Sequence, residues 1–191
     1  FLTPADRVGD MFNATRDHCR KKSLPPPADD QFAYLPLMAV GETEEEAQKA
    51  IEGVAWYVTH NKADSHFRAP PGYVETPLFA EFITGGFSGG RTDAGGPPGM
   101  DYFRENHIAI WGTPDSVVKQ IKDLYRKSGG LGHLIAMMHS GDMDFKTTAK
   151  SMTLFAKEVV PKLKNLGSVS DGFGPLAERK KTKPRKKRRA G

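Results

Sequence analysis

Apolar residues fall into two kinds of pattern along this chain, short unbroken runs and stripes of helical period, and the two alternate over residues 107–163. His107-Ile-Ala-Ile-Trp111 is a short apolar run. Gly112-Thr-Pro-Asp115 follows, with Thr113 suited to cap a helix, Pro114 to open it and Asp115 to sit in its positive first turn. Val117, Val118, Ile121, Leu124 and Tyr125 then recur at helical spacing, and Gly129-Gly130 supplies a stop. The run His133-Leu-Ile-Ala-Met-Met138 and the polar turn His139-Ser-Gly-Asp-Met-Asp144 come next. A helical stripe then runs from Phe145 through Ala149, Met152, Phe155, Ala156, Val159 and Val160 to Leu163, with Pro161 breaking only its last turn. Strand, helix and strand at this spacing predict a βαβ unit whose two strands are parallel neighbours.

The same alternation appears earlier. Residues 4–22 read as a helix with Val8, Met11, Phe12, Thr15, His18 and Cys19 on one face and Arg20-Lys21-Lys22 at its negative end. Ser23 to Asp30, with three consecutive prolines, is a linker. Phe32 to Val40 is an apolar run whose Pro36 points to an edge strand or a bulge. Thr43-Glu-Glu-Glu46 forms a capping box, and Ala47, Ala50, Ile51, Val54, Ala55 and Val58 make the buried stripe of the helix behind it. Trp56 and Trp111 are expected in the core. Residues 61–106 break the rhythm with Pro70-Pro71-Gly72, Gly85-Gly86, Gly89-Gly90 and Gly95-Gly96-Pro97-Pro98-Gly99, as a functional insertion or an unstructured segment would. The expectation is α/β, with about three parallel strands and four long helices within residues 1–166, the 61–106 insertion included, followed by a disordered basic tail over 167–191.

Charge sharpens that division. The chain of 191 residues carries 28 Lys and Arg against 23 Asp and Glu, a net +5. Nine of those bases and one acid lie in residues 178–191, so the body holds 19 bases and 22 acids and is mildly acidic. The tail 178–191 could bind anionic partners, nucleic acid among them, through phosphate contacts. It has no interleaved aromatics for base stacking. No run of about 18 apolar residues exists, so no membrane span is expected. The single cysteine, Cys19, precludes an internal disulfide and suits a reducing cytoplasm. The six histidines show no metal-binding spacing, so no metal site is expected. The chain opens on Phe1 with a helix start, which leads to the expectation of a fragment.

Four stretches together resemble one family. Gly112-Thr-Pro-Asp-Ser-Val117, Gly132-His-Leu, the end pattern Ser151-Met-x-Leu-Phe-Ala156-x-x-Val159-x-Pro161-x-Leu163 and the step Val40-Gly-Glu-Thr-Glu-Glu-Glu46 look like the C-terminal part of the bacterial luciferase-like flavin-dependent monooxygenases. The similarity runs over about residues 5–164, and the insertion matches poorly. It implies the C-terminal portion of a TIM (β/α)8 barrel that uses reduced FMN and O2, or in some branches the deazaflavin F420, to oxidise a small organic substrate, in an enzyme that is a homo-oligomer when full-length. Family members carry about 150 further N-terminal residues, the seat of most flavin-phosphate contacts and of the usual catalytic positions. On this reading the isolated chain is inactive, and alternating side chains of Phe32–Val40, His107–Trp111 and His133–Met138 lose their barrel partners.

The candidate site follows from both lines. The working face of such a barrel is the carboxyl end of its strands, which gathers the turns Val40-Gly41-Glu42, Trp111-Gly112-Thr113 and His139 to Asp142. His139 is a candidate catalytic residue, and Ser140, Gly141 and Asp142 are candidates to touch the cofactor. The competing reading is a capping turn, with Asp142 or Asp144 closing the last helix. Arg91 sits among glycines where the sulfonate-oxidising branch of the family carries a mobile-loop arginine, and its fork suits a sulfonate or a peroxyflavin oxygen. The competing readings are an exposed arginine on a disordered loop, and, for the whole chain, a non-catalytic half barrel with a basic tail.

Overall fold

The computed structural model of the protein describes residues 3–60 and 99–167, with side chains described to residue 56 in the first span. Arg91, the insertion over 61–98 and the basic tail lie outside the described residues. The elements run α1 (Ala5–Lys21), a single 3-10 turn, β1 (Ala33–Tyr34), β2 (Leu37–Val40), α2 (Glu44–His60), α3 (Met100–Glu105), β3 (Ala109–Gly112), α4 (Pro114–Lys127), β4 (His133–Leu134) and α5 (Phe145–Leu154). After α5 the chain continues through a π-helical turn (Phe155–Val159) into α6 (Val160–Leu163).

The apolar run over residues 32–40 forms the middle of the sheet. β2 pairs in parallel with β3, Leu37 opposite Ala109 and Val40 opposite Gly112. β1 pairs in parallel with β4, and a further parallel bridge joins Leu37 to Met137. The strand order is therefore 109–112, 33–40, 133–137, and the expectation that the last two runs lie side by side is corrected: they flank the earlier one. Pro36 does not send this strand to an edge; it splits it. Ile135 and Met137 donate to the carbonyls of Tyr34 and Pro36, and Met38 donates back to Met137. The intervening donor of that ladder would be residue 36, which has no N–H.

Crossovers that run in opposite directions across the sheet, here from the central strand to β3 and from β3 back past it to β4, place their helices on opposite faces when both are right-handed, and both faces are indeed covered. Side chains alternate across a strand. Leu37, Ala39, Ala109 and Trp111 pack with Ala47, Ala50, Ile51 and Val54 of α2 and Phe103 of α3. Met38, Val40 and Ile110 pack with Val8 of α1, Val117, Ile121 and Leu124 of α4, and Val159 beyond α5. The expected loss of partners thus fails for Leu37–Val40 and Ile108–Trp111, which are fully buried, whereas Ile135 is 51% exposed. An α/β arrangement with parallel strands is what the structure shows.

Other expectations are met or adjusted locally. The last residues assigned to the insertion join the folded body, because α3 inserts Phe103 into the core. Met11 is 64% exposed and Trp56 45% exposed, so neither joins the core as expected, while Trp111 is buried. α1 lies so close to α4 that a Cβ at Gly9 would stand 2.6 Å from the Lys127 carbonyl oxygen, and this approach fixes which face is buried. The last helix is interrupted earlier than Pro161 suggests, at Phe155. A proline clashes with the carbonyl four residues back, and the wider π turn accommodates it. Among the described residues no helix is long and apolar enough to cross a membrane.

Candidate functional site

The carboxyl ends of β2 and β3 are tied together where the Gly41 amide donates to the Gly112 carbonyl at 3.1 Å. Gly112 has φ +140°, and a Cβ there would stand 2.7 Å from both Glu44 Oε1 and Ser116 Oγ. The Glu44 carboxylate is therefore seated on this glycine at the N-terminus of α4. It accepts the Thr113 amide at 3.1 Å and the Arg104 guanidinium at 3.1 Å. Burial alone would push Glu44 up, but the Thr113 amide, Arg104 and the Ser116 hydroxyl outweigh it and hold the carboxyl below its usual range. Thr113 is the N-cap as predicted, yet its side chain makes no capping bond; the carboxylate from α2 takes that role. Arg104 also lies over the Trp111 ring, 4.7 Å from its centroid, and Gln120 donates to the Trp111 carbonyl at 2.7 Å.

The next group along this end joins α2 to α5. Lys150 reaches Glu42 at 2.7 Å and Glu46 at 2.6 Å. The capping box is shifted by one residue: the Thr43 hydroxyl accepts the Glu46 amide, while Glu46 reaches back to the amide of Glu42 instead of Thr43. Lys150 and the Glu42 amide lower the pKa of Glu46. One residue on, buried Ser151 accepts the Val40 amide at 2.8 Å. The serine hydroxyl continues the ladder past Met137, where the chain turns away into residues 139–142.

The turn after β4 holds the sequence-derived candidates. His139 is exposed, and its Nδ1 lies 2.9 Å from Thr148 Oγ1. That hydroxyl donates its one hydrogen to the Asp144 carbonyl, so His139 Nδ1 carries the proton of this bond and Nε2 keeps a free lone pair when the ring is neutral. The Asp142 amide donates to the Gly53 carbonyl, anchoring the turn on α2, and Gly141 takes φ +61°. Asp144 caps α5 by accepting the Thr147 amide and hydroxyl, and these bonds lower its pKa. The capping role weighed for Asp142 or Asp144 thus falls to Asp144. Ser140, Gly141 and Asp142 sit together on the turn, but among the described residues no cationic side chain is bonded to it.

A helix N-terminus behind a glycine turn is where a phosphate would dock. Here that position is filled by Glu44, and the nearby Lys150 is engaged by two carboxylates. The described residues therefore do not fit a flavin phosphate. Among them no three His, Cys, Asp or Glu side chains gather as a metal site would require. A groove of about 840 Å³ between α1 and Leu24–Phe32, and a cavity of about 180 Å³ between α4, Leu131–Leu134 and Leu163, both open at the other end of the sheet. Glu44, Arg104, Ser116 and Gln120 were not singled out from the sequence. The acidic run and the Gly-Thr-Pro-Asp-Ser turn were the available signals, each read as capping its own helix, and the contact between them spans some seventy residues.

No protein-family profile matches the chain, and no curated protein matches it. Solved structures do. The oxygenating constituent of 3,6-diketocamphane monooxygenase from Pseudomonas putida, a type II Baeyer-Villiger monooxygenase in complex with FMN, superposes with a TM-score of 0.58 at 21% identity. Monooxygenase RslO1 from Streptomyces bottropensis superposes with a TM-score of 0.53 at 19% identity. Each match covers 83% of this chain, and it covers 40% of the first structure and 38% of the second. The chain shares its fold with about two fifths of these monooxygenases.

Proposed function

We propose that this chain is the C-terminal portion of a luciferase-like flavin-dependent monooxygenase, which uses reduced FMN and O2 to oxidise a small organic substrate. The observation that carries the reading is the fold shared with an FMN-bound monooxygenase over most of this chain. The four ordered motifs support it from the sequence side. Bound FMN would supply the oxygen-activating chemistry. The described residues supply the floor on which such a site could rest, with His139 Nε2 free to exchange a proton and Ser140, Gly141 and Asp142 near the rim. Arg91 is proposed to meet an anionic substrate or oxygen. The flavin-phosphate cradle belongs to residues preceding this segment, in keeping with the occupation of the α4 N-terminus by Glu44.

The test is a pair of titrations followed by flavin fluorescence. The 191-residue chain alone is expected to show no micromolar affinity for FMN. The longer polypeptide encoded by the upstream reading frame is expected to bind FMN and to consume O2 when the flavin is reduced. Upstream codons without βα repeats, or tight FMN binding by the isolated chain, overturn the reading. One observation favours the competing reading of a non-catalytic module: the anion position that the fold offers is closed by the protein's own carboxylate.

A further inference from the structure

The hydroxyl of Thr148 stands between two groups at 2.9 Å, the ring Nδ1 of His139 on one side and the Asp144 carbonyl on the other. Two hydrogen bonds need two hydrogens. The hydroxyl has one and a carbonyl has none, so both contacts are bonds only if the ring supplies the second from Nδ1. A neutral imidazole left to water carries its proton mainly on Nε2, so this turn holds His139 in the opposite tautomer. Helical threonines commonly bond the carbonyl four residues back, and Thr15 and Thr153 do so here on exposed helix faces. Thr148 differs from both: it is 6% exposed, and its oxygen also meets a ring. Both ends of the contact are anchored. Asp144 is fixed as the cap of α5, and the turn that carries His139 is tied to α2 where the Asp142 amide donates to the Gly53 carbonyl at 3.2 Å.

We propose that Thr148 is a positioning residue for His139, holding the ring in the Nδ1–H tautomer so that Nε2 is the one atom at which this histidine takes up a proton. The bond made by one nitrogen of an imidazole sets the state of the other. With Nδ1 committed to Thr148, Nε2 has a lone pair and no partner among the described residues. A molecule with an acidic O–H or N–H, bound at the carboxyl ends of the strands, meets that lone pair. The donor's bond breaks, its electron pair stays on the donor atom, and the proton joins Nε2. Nδ1–H and its bond to Thr148 are unchanged, so the ring becomes an imidazolium without turning. In the other tautomer Nε2 already carries a hydrogen and can only donate. The use of this proton acceptor in catalysis rests on the flavin reading above. The tautomer does not, since every group that sets it lies within residues 139–148.

Long-range proton–nitrogen NMR of the 191-residue chain, isotope-labelled in its six histidines, tests the proposal at about pH 9, where an ordinary imidazole is neutral. His139→Gln identifies the signals of this ring. In the unmodified protein Nδ1 of His139 should resonate in the pyrrole-like range and Nε2 in the pyridine-like range. Thr148→Val, which keeps the shape and removes the hydroxyl, should exchange the two. Thr148→Ser should leave them as in the unmodified protein. Far-UV circular dichroism should be the same for all three, so the exchange reports the ring and not the helix. Where valine perturbs α5, Thr148→Ala gives the same reading. An unmodified chain whose His139 is protonated mainly on Nε2 overturns the proposal. So does a ring that keeps its Nδ1 proton in both the valine and the alanine variants, since another group then holds it. No flavin is present in these measurements, so their failure is distinct from a failure of the longer polypeptide to bind FMN.

Discussion

Ser151 lies within an ordinary helical stripe, yet its hydroxyl does the work of a missing backbone carbonyl. Removing it leaves the buried Val40 amide without a partner, so Ser151→Ala is expected to cost about 1–3 kcal/mol, read from the midpoint of a urea unfolding curve. Gly112→Ala should be comparably damaging, about 1–3 kcal/mol, because it combines a left-handed backbone with a collision against the Glu44 carboxylate. His107 gives a pH dependence. It is buried with φ +55°, its Nε2 lies 3.1 Å from Asp123, and burial, helped by the Lys127 charge, lowers its pKa below the ordinary 6.5. The unfolded chain then binds the proton more readily than the folded one, so stability falls as pH drops from about 6.5 toward the folded value. Thermal melts between pH 7.5 and 5.5 should show that decline, and His107→Gln should flatten it.

At the level of elements, starts and stops were legible because they are local. Pro114 at the head of α4, Gly129 and Gly130 with φ +69° and +96° at its foot, and Asp144 capping α5 all lie where their side chains and backbone freedoms put them. Order in the sheet was not legible. The spacing of 107–138 is compatible with two strands side by side, and nothing in it reports that residues 33–40 lie between them. The candidate site was half legible for the same reason: the turns were placed at one end of the sheet, but Glu44 reaching across to Thr113 and Arg104 is a tertiary choice. The exposure of Ile135 and the burial of Leu37–Val40 likewise depend on which helices cover which strand. Glu44→Ala is predicted to lower stability by about 1 kcal/mol, as loss of a helix cap does. Raising the salt concentration should shrink that difference, since the carboxylate is only partly shielded from solvent.

For the whole molecule, the position of the 33–40 strand carries a kinetic consequence. Both neighbours of this strand in the sheet are synthesised after it, some seventy to a hundred residues later. Parallel pairing leaves it no local hairpin to form in the meantime, and closing such long loops costs entropy before any contact rewards it. Folding should therefore be slow for the size of the chain, in the millisecond-to-second range of about 1 ms to 1 s typical of non-local topologies. Its transition state should be organised where the central strand first finds a partner. Ala39→Gly, in the middle of that strand, should slow refolding in stopped-flow measurements, whereas Ser151→Ala, in a helix that docks over the finished sheet, should chiefly hasten unfolding. Until that pairing occurs, a nascent chain exposes Leu37-Met-Ala-Val40 as a bare apolar strand, the kind of segment that chaperones hold and that aggregates when they do not.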